Sequence, residues 1–404
     1  MSEPANESSA HSYRPLDGVR VLDVAHLLPG ALATRRLADL GADVVKVELI
    51  PGAEYLRQLP PGFGDGSITH IVHDHGKRSI ALRRDDPESP SRIVELARAA
   101  DVVVEGSRPG GIARLGLDLA ELRRERPGLV VCSITGFGQT GPHASAPAHG
   151  LNVDALAGIL GTERVEGRPR LRSRPNIGFG VEFGALQAAL SVTAAVLCAR
   201  TTGQGAWLDV SCWDAAVEAN RVEMAELAAT GTTSLMFAEM GPLYDVYETA
   251  DGRLMMFCAI EWSFWAKFCG LVERPDLVER WSGGGEVDFG TDTDLAGELT
   301  AIIGSTDADT WNRRFLDAEL PICEVLTSAQ VATHPHQIAR GLVTDDHGIP
   351  RVRNAVRVVD GPGPGKRLGD HLSAAAPAVG EHTTEILADW LGAAAVPTTE
   401  GRSA

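Results

Sequence analysis

The glycine-rich segment 136–142, Gly-Phe-Gly-Gln-Thr-Gly-Pro, is followed closely by side chains capable of acid–base chemistry. Backbone N–H groups in such a loop can stabilise an oxyanion. His149 can act as a general base, because imidazole exchanges protons near neutral pH, or it can be a hydrogen-bonded structural residue. Asp154 lies four positions after residue 150, so the two positions share a face if the segment is helical. Asp154 is either a catalytic carboxylate or a solvated or capping group. The segment is a candidate active site.

The elements that would position this segment are those of a parallel sheet. A β-branched run at 18–24 precedes a glycine turn, and a helical segment and a second strand follow, which is a βαβ unit. The same alternation predicts helices at 31–40, 87–100 and 117–126, with further strands at 42–48, 101–105 and 129–134. The fold expected is a large, doubly wound, Rossmann-like α/β domain. Its first turn has Pro29-Gly30 but no GxGxxG pattern, so no nicotinamide cofactor is expected.

The pattern changes after residue 225. Asp251-Gly252 is a hairpin signal between predicted strands at 244–248 and 254–258, and helical segments at 262–271 and 292–303 follow. These features predict a smaller α+β domain. The full division expected is a disordered lead-in at 1–15, the large domain at 16–225, the small domain at 226–330, a return segment packing on the large domain at 331–395, and a disordered tail at 396–404.

Composition excludes several classes of partner. The formal net charge of −17 argues against binding to nucleic acid or an anionic membrane, which both require clustered positive charge. The six cysteines are scattered without a CxxC pair, as expected of free thiols in a reducing compartment, and no metal site is predicted. No apolar run approaches the roughly 20 uncharged residues that a membrane span needs, and the first 15 residues lack the apolar core of a signal peptide. A cytoplasmic protein is expected.

Short motifs along most of the chain resemble, in order, those of the family III CoA-transferases (the CaiB/BaiF type) and of the related α-methylacyl-CoA racemases. They lie at 16–23, 40–48, 76–82, 108–117, 136–152, 203–211 and 321–341. No single motif is decisive, but so many in the same order make coincidence very improbable. The resemblance implies the family III fold and a dimer in which two chains interlock as rings.

In the transferases that this chain resembles, an aspartate carboxylate attacks the thioester to give a mixed anhydride and free CoA. The CoA thiolate then attacks the aspartyl carbonyl of the anhydride, so that the donor acid leaves and the aspartate becomes a CoA thioester. The resemblance places this aspartate at position 150, which is Gly150 here. The racemases that it resembles use a histidine and an aspartate in an "HDIN"-like sequence, which reads His149-Gly150-Leu151-Asn152 in this chain. The resemblance therefore implies an acyl-CoA enzyme with a divergent active site.

The resemblance also nominates replacements for the missing carboxylate and contacts for CoA. Glu182 occupies a racemase-like "GDF" position, and Glu261 lies in a racemase-like "AIE" segment, where a solvated surface group is the alternative. The basic residue that transferases often carry after the second strand is Leu49 here. Because CoA carries phosphates that bind cations and backbone donors, the arginines are candidates, with surface or ion-paired roles as alternatives. The residues expected to contact CoA are Lys77, Arg78, Arg114, Leu28, Pro29, Gly136 and Gly138.

Three functions stay open on the sequence. The first is CoA transfer between an acyl-CoA and a small carboxylic acid. The second is racemase-like or other isomerase or lyase chemistry on a thioester. The third is a non-catalytic acyl-CoA-binding subunit of a heteromeric CoA-transferase, which predicts a heterodimer with an Asp-bearing paralogue instead of a homodimer.

Overall fold

The computed structural model describes residues 13–64, 66–172, 178–233, 241–281, 287–290, 293–346, 348–359, 365–373 and 375–395. Residues 1–12 of the predicted lead-in and the predicted tail 396–404 lie outside these ranges. The chain divides into two compact units, one formed by residues 1–221 with 341–404 and the other by residues 222–340. The corresponding boundaries expected from the sequence are 225 and 330.

The first unit is built on one parallel sheet. Its elements up to residue 219 are β1 (Arg20–Asp23), α1 (Leu28–Asp39), β2 (Asp43–Ile50), β3 (Gly62–Phe63), β4 (Gly66–Ser67), α2 (Ile68–Asp74), β5 (Arg78–Arg83), α3 (Ser89–Ala99), β6 (Val102–Glu105), α4 (Leu119–Glu125), β7 (Val130–Thr135), α5 (Gly150–Leu156), β8 (Thr162–Val165), β9 (Arg168–Leu171), α6 (Phe179–Thr202), β10 (Trp207–Ser211) and α7 (Cys212–Ala219). Six strands pair in parallel in the order β10-β7-β6-β1-β2-β5. The chain order reverses between β6 and β1, which confirms the doubly wound fold.

Hydrophobic cores cover both faces of this sheet. Successive side chains of a strand point to opposite faces, and accordingly Val21 of β1 belongs to one core cluster and Leu22 to the other. The first cluster joins the sheet to α1, α6 and α7, and the second joins it to α3 and α4. The sheet is therefore buried between two helical layers, which leaves its strand ends as the places where polar side chains can meet a ligand.

Helix α6 corrects one expectation from the sequence. By length and composition alone it could cross a membrane, with a mean hydropathy of 1.6 over its most apolar window, although a core helix passes the same test. Its buried residues, among them Val181, Ala188 and Val192, pack in the first core cluster. Its other side leaves several large apolar side chains exposed, namely Phe183, Leu186, Leu190 and Leu197.

The second unit and the returning segment complete the chain. Their elements are α8 (Arg221–Thr230), β11 (Asp245–Glu248), β12 (Leu254–Phe257), α9 (Trp262–Leu271), α10 (Thr293–Ile303), α11 (Ala308–Asp317), β13 (Ile322–Glu324), α12 (Ser328–Thr333), α13 (Pro335–Arg340), β14 (Val343–Asp346), β15 (Ile349–Val352), β16 (Arg357–Val358), β17 (Lys366–Arg367) and α14 (Thr383–Ile386). Strands β11 and β12 form the predicted antiparallel hairpin, and β13 extends it. The return segment adds Ile386 and Trp390 to the second core cluster of the first unit.

Candidate active site

A pocket of about 500 Å³ lies at the carboxyl edge of the sheet in the first unit. Three loops that follow β1, β6 and β7 contribute residues to its wall. Because the strand order reverses between β1 and β6, the pocket is at the topological switch point, where open α/β sheets bind their ligands. Its volume is in the range of small-molecule sites. The wall is formed mainly by His26, Leu27, Leu28, Pro29, Gly106, Arg108, Thr135, Gly136, Phe137, Ala148, His149, Gly150, Val153, Val181 and Cys212.

The wall carries almost no charge. Its ionisable side chains among the described residues are His26, Tyr55, Arg108, His149 and Cys212, and no described carboxylate belongs to it. Burial raises the pKa of Cys212 to about 12, so this thiol stays protonated. The pocket therefore offers two histidines and one arginine for chemistry.

The two positions on α5 differ in what they can contribute. Gly150 begins the helix in the pocket wall, and a Cβ atom there would meet Val181 Cγ2 at 3.5 Å and Gly178 Cα at 3.6 Å, which are ordinary contacts. Asp154 lies one turn on but is completely buried. Its two carboxylate oxygens accept hydrogen bonds from the backbone N–H groups of Phe179 and Gly180, both at 2.8 Å.

Asp154 is thus a structural anion at the start of α6, where unpaired N–H groups and the helix dipole favour a negative charge. This corrects the prediction of a relocated catalytic carboxylate, because neither oxygen is free and the residue does not line the pocket.

The glycine-rich loop lies beside the pocket, and only its first part lines it. Gly136 is in the wall, where a Cβ atom would lie 2.2 Å from that of Ala148, so a larger residue would push the two sides of the loop apart. Gly138 adopts a positive φ of 77° and faces the carboxylate of Asp209 instead of the pocket. That carboxylate accepts a hydrogen bond at 3.0 Å from the Gln139 N–H. Gly138 does not line this pocket, and the expected CoA contacts of both Gly136 and Gly138 remain predictions.

A layer of buried ions lies behind the wall, and Lys77 belongs to it. The Lys77 side chain is fully buried, with its Nζ atom 2.6 Å from Asp74 Oδ1 and 3.2 Å from Asp23 Oδ2. Lys46, on the neighbouring strand, contacts Glu54 at 2.8 Å and Asp23 at 3.5 Å. Lys77 therefore neutralises two buried carboxylates and does not reach the pocket, which corrects its expected contact with a CoA phosphate.

The two predicted arginines have different surroundings. Arg78 begins β5, and its guanidinium bonds to Asp43 at the amino edge of the sheet and to Glu385 and Asp389. Three carboxylates at the edge opposite the pocket leave it no role in phosphate binding there. Arg114 lies in the short 3₁₀ helix 111–115, is exposed, and has no hydrogen-bond or ion-pair partner among the described residues. Arg114 remains a predicted phosphate ligand.

The remaining predicted residues are distributed as follows. Leu28 and Pro29 line the pocket at the start of α1. Glu182 is half-buried on α6 and does not belong to the pocket wall. It is close enough to His73 to affect that residue: burial lowers the pKa of His73, and the negative charge of Glu182 partly opposes this shift. Glu261 precedes α9 in the second unit, so its role stays a prediction.

Sequence reasoning missed His26, which lies in the loop between β1 and α1 and lines the pocket. Its Nδ1 atom is 3.4 Å from Oε2 of the buried Glu54. The signal that could have revealed it is its position, because a histidine between the first strand and the first helix of a doubly wound sheet lies at the carboxyl edge. Its carboxylate partner is 28 positions away in the sequence and could not be read from the motif.

The family to which the chain is related agrees with a pocket at this edge of the sheet. The profile of CoA-transferase family III matches residues 16–383. The chain belongs to this family, as the sequence predicted.

Named relatives cover nearly the whole chain. Acetyl-CoA:oxalate CoA-transferase of Acetobacter aceti is 29% identical over 88% of this chain and 92% of its own length. Succinate–glutarate CoA-transferase of Agrobacterium fabrum is 30% identical, with coverage of 93% and 95%. The crystal structure of Rv3272 from Mycobacterium tuberculosis superposes with a TM-score of 0.77 at 30% identity, covering 92% of this chain and 98% of that one.

Proposed function

We propose that this chain binds an acyl-CoA with its thioester in the pocket at the switch point and transfers the CoA to a small carboxylic acid. The observation that carries the proposal is the position of the pocket. It is bordered by the 136–150 loop, and the chain belongs to a CoA-transferase family. Relatives named for oxalate and glutarate suggest the class of acceptor. Arg108, in the wall, is the cation available to an acceptor carboxylate.

The route that this pocket favours is direct transfer. No described side-chain carboxylate lines the wall, so the attacking carboxylate is supplied by the acceptor itself. Donor and acceptor must then be bound together, and the kinetics should be sequential and not ping-pong. An aspartate at position 150, replaced here by glycine, would instead form a covalent intermediate. Glu182 and Glu261 are the remaining predicted sources of such a carboxylate.

The test is a mass-spectrometric assay of the purified chain in heavy water with branched and straight acyl-CoAs and a panel of free acids that includes oxalate, succinate and glutarate. New CoA thioesters are the expected result. Reactions without acceptor acid measure hydrolysis and serve as the control. If no new thioester forms with any pair, the proposal of a self-sufficient transferase fails, and the non-catalytic subunit with an Asp-bearing partner becomes the preferred function.

A second candidate is exchange of the α-proton of an acyl-CoA, as in a racemase. The specific observation that favours it is a wall with two histidines, His26 and His149, and no described carboxylate. Deuterium at the α-carbon in the same assay, without new thioesters, would select this function.

We also propose that the chain is a cytoplasmic homodimer. The exposed apolar residues of α6 are spaced at 183, 186, 190 and 197, which places them on one helix face that a partner chain could cover. The six described cysteines are all free, in keeping with a reducing compartment. Light scattering of the chain alone, compared with a Leu190→Glu, Leu197→Glu variant, tests the assembly; a wild-type monomer would favour the heterodimer.

A further inference from the structure

His26 is held in the pocket wall by a carboxylate that is otherwise buried. Its side chain is 49% exposed, whereas that of Glu54 is 1% exposed, and Nδ1 of His26 is 3.4 Å from Oε2 of Glu54. Since Nδ1 faces Glu54, the other ring nitrogen, Nε2, is directed away from the carboxylate and has no hydrogen-bond partner among the described residues. A histidine with one nitrogen oriented by a carboxylate and the other free is the arrangement of a general acid–base group.

Glu54 is fixed and charged by its own surroundings. Burial would raise the pKa of Glu54, but Lys46 and His26 outweigh this and hold it well below its ordinary value. Lys46 Nζ lies 2.8 Å from the same oxygen that faces His26. The second carboxylate oxygen accepts a hydrogen bond from the Leu27 N–H at 3.2 Å. Glu54 therefore binds both the ring of His26 and the backbone that follows it.

The turn that carries His26 is strained, which also indicates a constrained position. Leu27 has a φ of 65°, in the left-handed region that residues other than glycine rarely adopt. Such strain persists only where the surroundings impose it, and here the Glu54 carboxylate holds the Leu27 N–H. The result is a side chain at position 26 whose direction is set by the buried layer.

The other ionisable groups of the wall lack this support. His149 is exposed and caps α5: its backbone N–H donates to Asn152 Oδ1 at 2.7 Å, and no described carboxylate forms an ion pair with its ring. Tyr55 is exposed, and the Cys212 thiol stays protonated. Among the described ionisable residues of the wall, His26 alone has its ring paired with a buried carboxylate.

We propose that His26, positioned by Glu54, is the catalytic acid–base residue of the pocket, and that it carries the proton of the CoA thiol between the two halves of transfer. This assignment rests on the proposed function. Thioester cleavage releases a thiolate that must be stabilised before it attacks again, and a nearby imidazolium supplies and recovers one proton.

Transfer takes two steps. The acceptor carboxylate attacks the thioester carbonyl, a C–O bond forms, the C–S bond breaks, and the sulfur takes the proton from His26 Nε2, which leaves the mixed anhydride and CoA thiol bound together in the pocket. The neutral imidazole then removes that proton as the thiol attacks the acceptor-derived carbonyl of the anhydride. The C–O bond breaks, and the donor acid leaves as a carboxylate.

The experiment uses His26→Asn, because the asparagine amide nitrogen can take the place of Nδ1 opposite Glu54 but does not titrate. We expect kcat to fall by about 10²–10⁴-fold with little change in the KM for acyl-CoA. His26→Ala should regain part of its rate with added imidazole. Glu54→Gln should lower kcat in the wild-type background but not further in His26→Asn, since a positioning residue has no effect without its partner.

A His26→Asn variant with wild-type kcat would overturn the assignment, as would an equal loss from Glu54→Gln in both backgrounds. Loss of α-deuterium exchange in His26→Asn, with transfer intact, would assign the residue to a different reaction and also overturn it. A wild-type chain that transfers no CoA overturns the proposed function itself. That failure is distinct, because the failure of the His26 assignment alone leaves wild-type turnover in place.

Discussion

The wall of the pocket and the layer behind it differ in how they use charge. The wall consists largely of small and apolar residues with two histidines and Arg108. Directly behind it, Lys46 and Lys77 are buried with three carboxylates, those of Asp23, Glu54 and Asp74. Most of the charged residues near the site thus contact each other and not the pocket.

This difference shows what the charges do. A buried ion is tolerated only when it is paired, and the pairs here fix the ends of β1, β2 and the loop that follows β2. The wall can then rely on backbone and on a few polar side chains whose directions are set from behind. The buried ions behind the wall therefore position the site, whereas Arg108 and His26 are exposed in the pocket itself.

The largest expected effect on stability comes from removing a buried cation from the layer behind the wall. Lys46→Met leaves Glu54 and Asp23 without their shared partner, and we expect unfolding free energy to fall by about 3–5 kcal/mol. Denaturant titration followed by circular dichroism measures it. The matched control is Arg83→Met, which removes one member of an exposed pair with Asp85 and should change the midpoint little. Equal effects of both variants would show that the buried layer is not what stabilises the fold.

The sequence predicted the fold far better than it predicted the use of these charges. Strand and helix positions follow from local patterns, such as the β-branched run at 18–24 and the helical segment 262–271, which is helix α9 in full. The direction of a lysine side chain is decided by distant partners. Lys77 meets Asp23, 54 positions earlier, and no local pattern distinguishes that from a phosphate contact.

The same reason explains the carboxylates of the site. Asp154 was predicted to share a helix face with position 150 and so to be a candidate catalytic carboxylate. The fold brings the start of α6 against it, where two backbone N–H groups donate hydrogen bonds to its two oxygens. The glycine spacing in 136–142 did locate the loop beside the pocket. The His26–Glu54 pair could not be predicted, since it depends on how the loop after β2 folds back on β1.

His75 and Arg35 form a second buried polar cluster, whose contribution to stability should depend on pH. His75 Nε2 accepts a hydrogen bond from Arg35 Nε at 2.9 Å, and its Nδ1 bonds to the Ile71 carbonyl at 3.0 Å, so only the neutral ring fits. Burial and Arg35 lower the pKa of His75 to about 3. The folded value lies below the unfolded one of about 6.5, so the stability it contributes is present above pH 6.5 and is lost as the pH falls towards 3.

We expect this residue to remove about 1.4 kcal/mol of unfolding free energy for each pH unit below 6.5. His75→Gln keeps an acceptor for Arg35 but does not titrate. Its stability should therefore fall less steeply than that of the wild type between pH 6.5 and 4, as measured by urea unfolding at several pH values. Parallel curves for the two proteins would show that His75 already binds a proton in the folded state.

Asp154→Asn asks whether the carboxylate behind the wall is structural. The amide keeps one acceptor oxygen and places N–H groups against the other backbone donor, so we expect a loss of about 1–3 kcal/mol in stability. The turnover of the folded protein should be unchanged. Asp118→Asn is the matched control, because Asp118 is an exposed cap of α4 and asparagine caps a helix as well as aspartate does. Lost turnover with unchanged stability would return Asp154 to catalysis.

The smallest expected change in stability comes from Gly150→Asp, which places a carboxylate in a wall where no described residue carries one. A Cβ atom meets only ordinary contacts there, and a carboxylate in the first turn of α5 is favoured by the helix dipole, so the variant should be more stable by up to about 1 kcal/mol. We expect faster CoA transfer and a covalent enzyme–CoA thioester, detectable as a mass increase of the intact protein. Gly150→Asn, equal in size but not nucleophilic, should give neither. A stable Gly150→Asp protein without the covalent thioester would show that the nucleophile does not belong at position 150, and would favour direct transfer, in which the acceptor supplies the attacking carboxylate.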